Sequence, residues 1–395
     1  MLKLETKNDK QENRLLVFST FRLYIFTCKG SVKLDSSYNY VDVSSIESPS
    51  PVKLILGFQN ESRHCSFHSC DPSTEEVNTI VTHLCTTLKT LFPHCPLEMF
   101  IRRLDVEPRQ RLARVLDYIS TIDEKTRYGA LDLPCGGFSS QYSCFCDFYC
   151  VPFREEVAWD IDTIYASQGP VGAELSIVDF EHLDSRDLSP IIAALAYNGY
   201  FKKFRLSNVK ISGQGHSSFG GEQICDLILN LVKKSSSIEE IYLDSTGIRT
   251  DFVNKLFNAA SINPVGPIKI VDLSGNVIED KGLRSLVQFI SGKSSGSSGK
   301  NASDDSIKNS MAHSMLNELI ISSPSMVGIE CTIDSGCIKG LTHLNLSKCS
   351  ISSKGVNELG EALYHNKSML TTMSYLNLSE NSFKDDLNVS QLIFI

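Results

Sequence analysis

No run of eighteen apolar residues occurs in this 395-residue chain, so no segment is long enough to cross a bilayer as a helix. The opening stretch, Met1 to Gln11, is polar and charged and lacks the apolar core of a secretory leader. A basic excess is missing as well. The formal charge is −8 with a pI of about 5.6, which argues against a general nucleic-acid binder, since such a protein needs a clustered basic footprint. One basic face on an acidic body stays open. Gly213-x-Gly215 has neither the third glycine at the required place nor a following Gly-Lys-Ser/Thr, so it reads as an insertion loop and not a phosphate cradle. The nine histidines are scattered, and none stands in the context of a nucleophile. No catalytic, cofactor-binding or metal-ligating residue is therefore assigned, and no cofactor is expected.

Cysteine is the residue that is not scarce. Its 13 copies, in a chain without a leader, are expected as buried thiols in a reducing cytosol and not as a disulfide frame. Cys135, Cys144, Cys146 and Cys150 crowd together, but structural zinc sites usually pair ligands two to four residues apart. The single residue between Cys144 and Cys146 suits that geometry poorly, and no histidine lies close by.

What the chain does contain is a recurring phrase. An aliphatic residue, two polar positions, an aliphatic residue, one position and then Leu or a relative return every few tens of residues. The instances are Leu175–Val178–Phe180–Leu183, Phe201–Phe204–Leu206, Ile238–Ile241–Leu243, Ile268–Val271–Leu273, Leu316–Leu319–Ile321, Leu341–Leu344–Leu346 and Met373–Leu376–Leu378. Helical stripes such as Leu283–Leu286–Val287–Ile290 separate them. No such unit can bury its own apolar edge, so the units must stack. Residues 173–395 are expected to form an α/β leucine-rich-repeat solenoid with helix-containing repeats, interrupted by a disordered insertion at about 291–310, rich in Gly and Ser.

Residues 1–96 read differently. Short runs rich in β-branched and aromatic residues, about five in number, are followed by a helix whose apolar stripe is Val77, Ile80, Val81, Leu84, Leu88 and Leu91. Strands closed by one amphipathic helix describe a partial pleckstrin-homology-like domain whose first strands are missing or reduced to Leu2–Leu4, which would leave an open sheet edge. Residues 97–172 form a helical, cysteine-rich connector. Its first helix has Arg109, Arg111 and Arg114 on the side away from the apolar stripe, and these are expected to be solvated.

In each repeat strand the residue between the last two aliphatic positions should point to the concave face. Those residues are Asp179, Arg205, Tyr242, Asp272, Ile320, Asn345 and Asn377. Their mixture of charge and type suits a protein partner. Asn345 and Asn377 also begin Asn-x-Ser sequons, but these recur with the repeat and are not read as glycan sites.

Several phrases in the connector carry a resemblance. Pro134-Cys135-Gly136-Gly137-Phe138-Ser139, Tyr142 to Asp147, Arg154 to Tyr165, Leu183 to Leu188 and Pro190 to Leu195 together resemble the CARMIL family, the capping-protein, Arp2/3 and myosin-I linkers of the actin cytoskeleton. Glu12 to Val17 and Arg249 to Phe252 add to it, and the likeness runs from about residue 12 to residue 383. It implies a pleckstrin-homology-like domain, a linker and a leucine-rich solenoid. It further implies a non-catalytic scaffold that regulates actin assembly at membranes by weakening the hold of capping protein on filament barbed ends. Capping protein and myosin-I are the implied partners, and the implied location is cytoplasmic, cytoskeleton-associated and peripheral at the plasma membrane.

In the family, capping protein is bound by a basic segment far beyond the solenoid. No match to that segment's motif occurs here, so no residue is carried over for it. Weak contact with membrane phospholipid stays open, because lipid contact in such folds usually depends on the first loop. The apolar end Gln391 to Ile395 and the short start lead us to expect part of a longer protein. Two other readings stand: a leucine-rich binding or inhibitor protein unrelated to actin, and an enzyme built on the cysteine-rich connector.

Overall fold

The computed structural model describes residues 2–5, 11–59, 64–70, 75–129, 133–211, 221–291 and 340–383. The expected repeat at Leu316–Ile321, with Ile320, lies outside these residues, as do most of the glycine-serine loop and the insertion.

The amino-terminal domain is built on β1 (Leu2–Glu5), β2 (Gln11–Phe18), β3 (Arg22–Lys29), β4 (Ser31–Asn39), β5 (Val43–Ser50), β6 (Lys53–Phe58) and β7 (His64–Ser69). Alternation drives them: Leu23, Ile25, Leu54 and Phe67 are fully buried while their neighbours in sequence are only partly buried. Gly30, at φ +73°, makes the tight turn from β3 to β4. Helix α1 (Glu75–Leu91) begins with two carboxylates and lays Val77, Val81, Leu84 and Leu88 into the core.

Seven strands stand where about five were expected. The strand read as missing or reduced is β1, which lies between β2 and β7 and is antiparallel to both, so the sheet has no open edge there. Its apolar signal is only Leu2 and Leu4 between charged neighbours, too short a pattern to register as a strand. The edges of this eight-stranded sheet are β4 and β8. Strand β8 (Arg103–Val106) comes from the connector and pairs parallel to β5.

The connector continues with α2 (Arg109–Arg127), α3 (Phe138–Tyr149) and α4 (Glu155–Trp159), which runs on into a π-helical turn over Asp160–Tyr165. Arg111 departs from the solvated face expected for it and is only 2% exposed. Its guanidinium donates to Asn78 Oδ1 at 2.6 Å, the Glu107 carbonyl at 2.6 Å, the Pro51 carbonyl at 2.8 Å and Ser48 Oγ. Burial holds its pKa below the ordinary arginine value, against a smaller upward pull from Glu75. A basic stripe on a helix can thus be split, one arginine inward and two outward, when a neighbouring domain offers oxygens.

Helix α3 is a wedge. On one side Asp147 accepts from Arg22 Nε at 3.0 Å and from Asn39 Nδ2 at 2.6 Å. On the other, Gln141 donates to the Leu91 carbonyl at 3.1 Å and accepts from Asn198 at 2.9 Å. Aromatic rings close the seam, with Phe92–Phe100 centroids at 4.7 Å, Phe100–Tyr197 at 4.9 Å and Phe145–Tyr197 at 5.5 Å. Such pairs contribute about 0.5–1.5 kcal/mol each beyond burial. Cys135, Cys144 and Cys146 lie buried within the connector and Cys150 is exposed. Desolvation, the first cause for each, pushes the Cys144 thiol up to about 12 and the Cys135 and Cys146 thiols up to about 11.

The remaining described chain is a repetition of short strands and backing helices. The strands are β9 (Glu174–Ser176), β10 (Lys203–Arg205), β11 (Glu240–Tyr242), β12 (Ile270–Asp272), β13 (His343–Asn345) and β14 (Tyr375–Asn377). They form one six-stranded parallel sheet in chain order. Behind it run α5 (Ser185–Leu195), α6 (Gly221–Lys234), α7 (Thr250–Ile262), α8 (Glu279–Ile290), α9 (Ser353–His365) and α10 (Lys367–Thr372). The centres of β9–β13, Leu175, Phe204, Ile241, Val271 and Leu344, are buried against those helices, and Leu376 of β14 is partly buried. After the strands the chain turns through a left-handed residue: Asn208, Ser245, Gly275, Lys348 and Glu380 all have φ between +55° and +71°.

A buried side chain then holds the turn. Asn276 Nδ2 donates to the carbonyls of Leu243 and Leu273, both at 2.8 Å, while its Oδ1 accepts from Gly247 N at 2.8 Å. Asn381 repeats this with Leu346 at 2.7 Å, Leu378 at 2.9 Å and Cys349 N at 2.9 Å. Val271 pairs directly with Leu344, so the ladder passes from Asp272 to Asn345 with no rung between, although these residues are 73 apart in sequence.

Candidate functional site

Parallel pairing in strict register lines up the residues on either side of each buried strand centre. One row is Glu174, Lys203, Glu240, Ile270, His343 and Tyr375, and the other is Ser176, Arg205, Tyr242, Asp272, Asn345 and Asn377. Because side chains alternate along a strand, both rows face away from the helices. Of the seven candidates named from sequence, Ile320 lies outside the described residues and five, Arg205, Tyr242, Asp272, Asn345 and Asn377, are consecutive rungs of the second row.

Asp179 is not. Arg205 is registered with Ser176, and Leu175, not Val178, is the partner of Phe204. Past Ser176 the chain tightens into a 3₁₀ turn over Ile177–Phe180, where Asp179 accepts from the Tyr165 hydroxyl at 2.5 Å. The sequence phrase misplaced the rung because the first repeat carries this extra apolar turn, which imitates the spacing of the later ones. The whole first row was also missed. Strand alternation alone would have shown it, since residues two apart share a face.

The face has two chemically different halves. Across β9–β11 the charges neutralise one another. Arg205 Nε meets Glu174 Oε1 at 2.6 Å, its guanidinium lies 4.0 Å over the Tyr242 ring, and Tyr242 donates to Glu240 at 2.6 Å. Lys203 completes the lattice with Glu240 at 3.1 Å. The hydrogen bond to Glu174 is the largest influence raising the Arg205 pKa, and burial followed by the bond to Glu240 raises that of Tyr242. Across β12–β14 the chemistry is amide and aromatic. Asn345 Nδ2 donates to Asp272 Oδ2 at 2.9 Å, and the His343 and Tyr375 rings stack at 5.7 Å, with Tyr375 46% exposed.

This arrangement presents charge, amide and ring faces, but it poises no nucleophile. The thiol of Cys349, against the Leu273 carbonyl at the end of β12, is buried and desolvation pushes it up to about 12. Among the described residues no three His, Cys, Asp or Glu side chains converge as a metal site, and no helix is long and apolar enough to cross a membrane.

Residues 135–328 match the leucine-rich-repeat domain described for the CARMIL family, residues 1–93 the Carmil pleckstrin homology domain, and residues 341–360 a leucine-rich repeat. Human capping protein, Arp2/3 and myosin-I linker protein 3 is 30% identical over 384 residues, covering 96% of this chain and 23% of the human protein. Protein CARMIL of Dictyostelium discoideum is 24% identical over 284 residues, 72% of this chain and 24% of that protein. From the same organism, Rho GTPase-activating protein gacW is 23% identical over 380 residues, 96% of this chain and 30% of its own length. The chain thus spans under a third of each of these relatives.

Proposed function

This chain belongs to the CARMIL family, and from that premise we propose that it is a non-catalytic scaffold for actin-filament assembly at the cell cortex, docking a protein partner on the concave sheet face. The observation that supports the reading is the in-register double row of half-exposed polar and aromatic side chains on β9–β14. Such a face is mixed in character, as protein interfaces are, and it is held rigid by the stacked repeats. Cytoskeletal proteins are the partner class, by analogy with the relative whose name links capping protein, Arp2/3 and myosin-I.

The test is cortical enrichment of the tagged chain in living cells. Paired substitutions Arg205→Glu with Asp272→Lys should lower that enrichment several-fold while the purified protein keeps its fold. Unchanged enrichment would remove the concave face from the proposal. Diffuse distribution of the unaltered chain would favour a leucine-rich binding protein unrelated to actin. Purified capping protein should be recovered only weakly by this chain, because no match to the family's binding motif occurs in it. Rho-family GTP hydrolysis should be unchanged on adding the chain; acceleration would overturn the non-catalytic reading. Phospholipid contact through the pleckstrin-homology-like domain is the weaker part of the proposal, and vesicle co-sedimentation measures it.

A further inference from the structure

The helix that runs from Glu155 through its π turn caps the start of the solenoid without being used by the concave face. Its inner side is clamped. Val157, Ile161 and Tyr165 are buried, Arg154 meets Asp187 at 2.7 Å, Ser139 donates to Asp162 at 2.7 Å and Tyr165 donates to Asp179 at 2.5 Å. Its outer side is uncovered. Trp159 is 60% exposed and Ile164 47% exposed.

These two residues are five apart, a spacing that an α-helix would place on different faces. The wider i→i+5 winding over Asp160–Tyr165 swings them toward the same side. A large exposed aromatic and an exposed aliphatic residue, on a helix already held rigid, have the character of an interface anchor, because little ordering is left to be lost on binding. On this helix, apart from Arg154 at its start, the charged side chains are all acidic. Glu155 and Glu156 are exposed at the start of the helix and Asp160 follows, and among the described residues none of the three has a lysine or arginine within salt-bridge distance. The only cation on this helix segment, Arg154, is committed to Asp187.

The geometry points to this face as a docking site, separate from the concave rows, for a basic segment of a protein partner that carries an apolar anchor. Its lysines or arginines would lie against Glu155, Glu156 and Asp160 while the anchor covers Trp159 and Ile164. Charge complementarity selects this occupant over a second copy of the same acidic helix, which would be repelled.

Trp159 is the only tryptophan in the chain, so its own fluorescence reads the site. The unaltered chain is titrated with a synthetic amphipathic helix of leucine and lysine, with its leucine–glutamate counterpart, and with phosphatidylcholine/phosphatidylserine vesicles. The expected result is a saturable shift of emission to shorter wavelength with the leucine–lysine peptide alone. Glu155→Lys with Glu156→Lys should weaken the apparent affinity about tenfold or more, Ile164→Ser should weaken it independently, and Asp251→Lys on α7 should leave it unchanged. Absence of a shift with the leucine–lysine peptide overturns the proposal. So does an equal shift with the leucine–glutamate peptide, or a shift that survives both site variants. A shift with vesicles and none with the peptide would assign the face to a lipid surface instead.

Discussion

Two arginines in this chain meet opposite fates, and the difference separates the seam of the molecule from its working face. Arg111 is buried where α2 meets the amino-terminal domain and donates to neutral oxygens, with only a weaker pull from the Glu75 carboxylate. Arg205 lies one-third exposed on the concave sheet, paired with Glu174 and stacked on Tyr242. The first can do nothing but hold two regions together. The second keeps a solvent-facing surface that can exchange its partner for another at modest cost. Position in the fold, and not residue type, decides which arginine can serve recognition.

The sharpest way to break the comparison is to damage what both regions share. Leu346 is fully buried between β13 and the helices, and Leu346→Ala should destabilise the solenoid by roughly 2–5 kcal/mol through lost contacts and a residual cavity. Urea unfolding followed by far-UV circular dichroism checks this, and a loss under about 1 kcal/mol would mean that the repeats do not share a continuous core. Next in size is Arg111→Met. It removes the hydrogen bonds that a buried guanidinium makes to Asn78, Ser48 and two carbonyls, so a loss of about 2–3 kcal/mol is expected. Limited proteolysis should then cut near α2 earlier than in the unaltered chain. Equal protection would place Arg111 among dispensable contacts.

How much of this was legible in the sequence follows the same division. The repeat strands β10–β14 and most of the second concave row could be read directly, because a buried centre flanked by half-exposed residues leaves a periodic trace. Asp179 was misread because the 3₁₀ turn at Ile177–Phe180 imitates that trace with apolar residues of its own. The strand β1 was read only as missing or reduced to Leu2–Leu4, because four residues with two inward leucines carry too little pattern. Burial of Arg111 was not legible at all, since it depends on oxygens supplied by Ser48, Pro51 and Asn78 from distant parts of the chain. The Trp159–Ile164 pairing was hidden for a local reason: the π turn changes the helical period, and sequence gives no spacing signal for it.

On the concave face itself, reversal of charge should have a small effect on stability. Arg205→Glu sets two carboxylates side by side on neighbouring strands, which costs about 0.5–1 kcal/mol and less in high salt, as half-exposed charges are screened. Thermal melts at low and high ionic strength measure it. A loss as large as that of Arg111→Met would show that the two arginines share one structural role, and the contrast drawn between them would fail.

The smallest effect sharpens the contrast by pH. His83 sits half-buried in α1 against the Tyr40 hydroxyl at 3.2 Å and the Phe18 ring at 5.2 Å, and desolvation lowers its pKa from the ordinary 6.5. A histidine that resists protonation in the folded state takes up fewer protons than the unfolded chain does. Its stability contribution is therefore fully present above pH 6.5 and is lost as pH falls through the lower folded value. Between about pH 7.5 and about pH 5.5 the melting temperature of the unaltered chain should fall by roughly 1–2 °C more than that of His83→Phe, which has nothing to protonate. Parallel pH slopes for the two proteins would place the acid sensitivity elsewhere. A steeper slope in His83→Phe would reverse the sign of the argument and show that protonated His83 is the better-accommodated form.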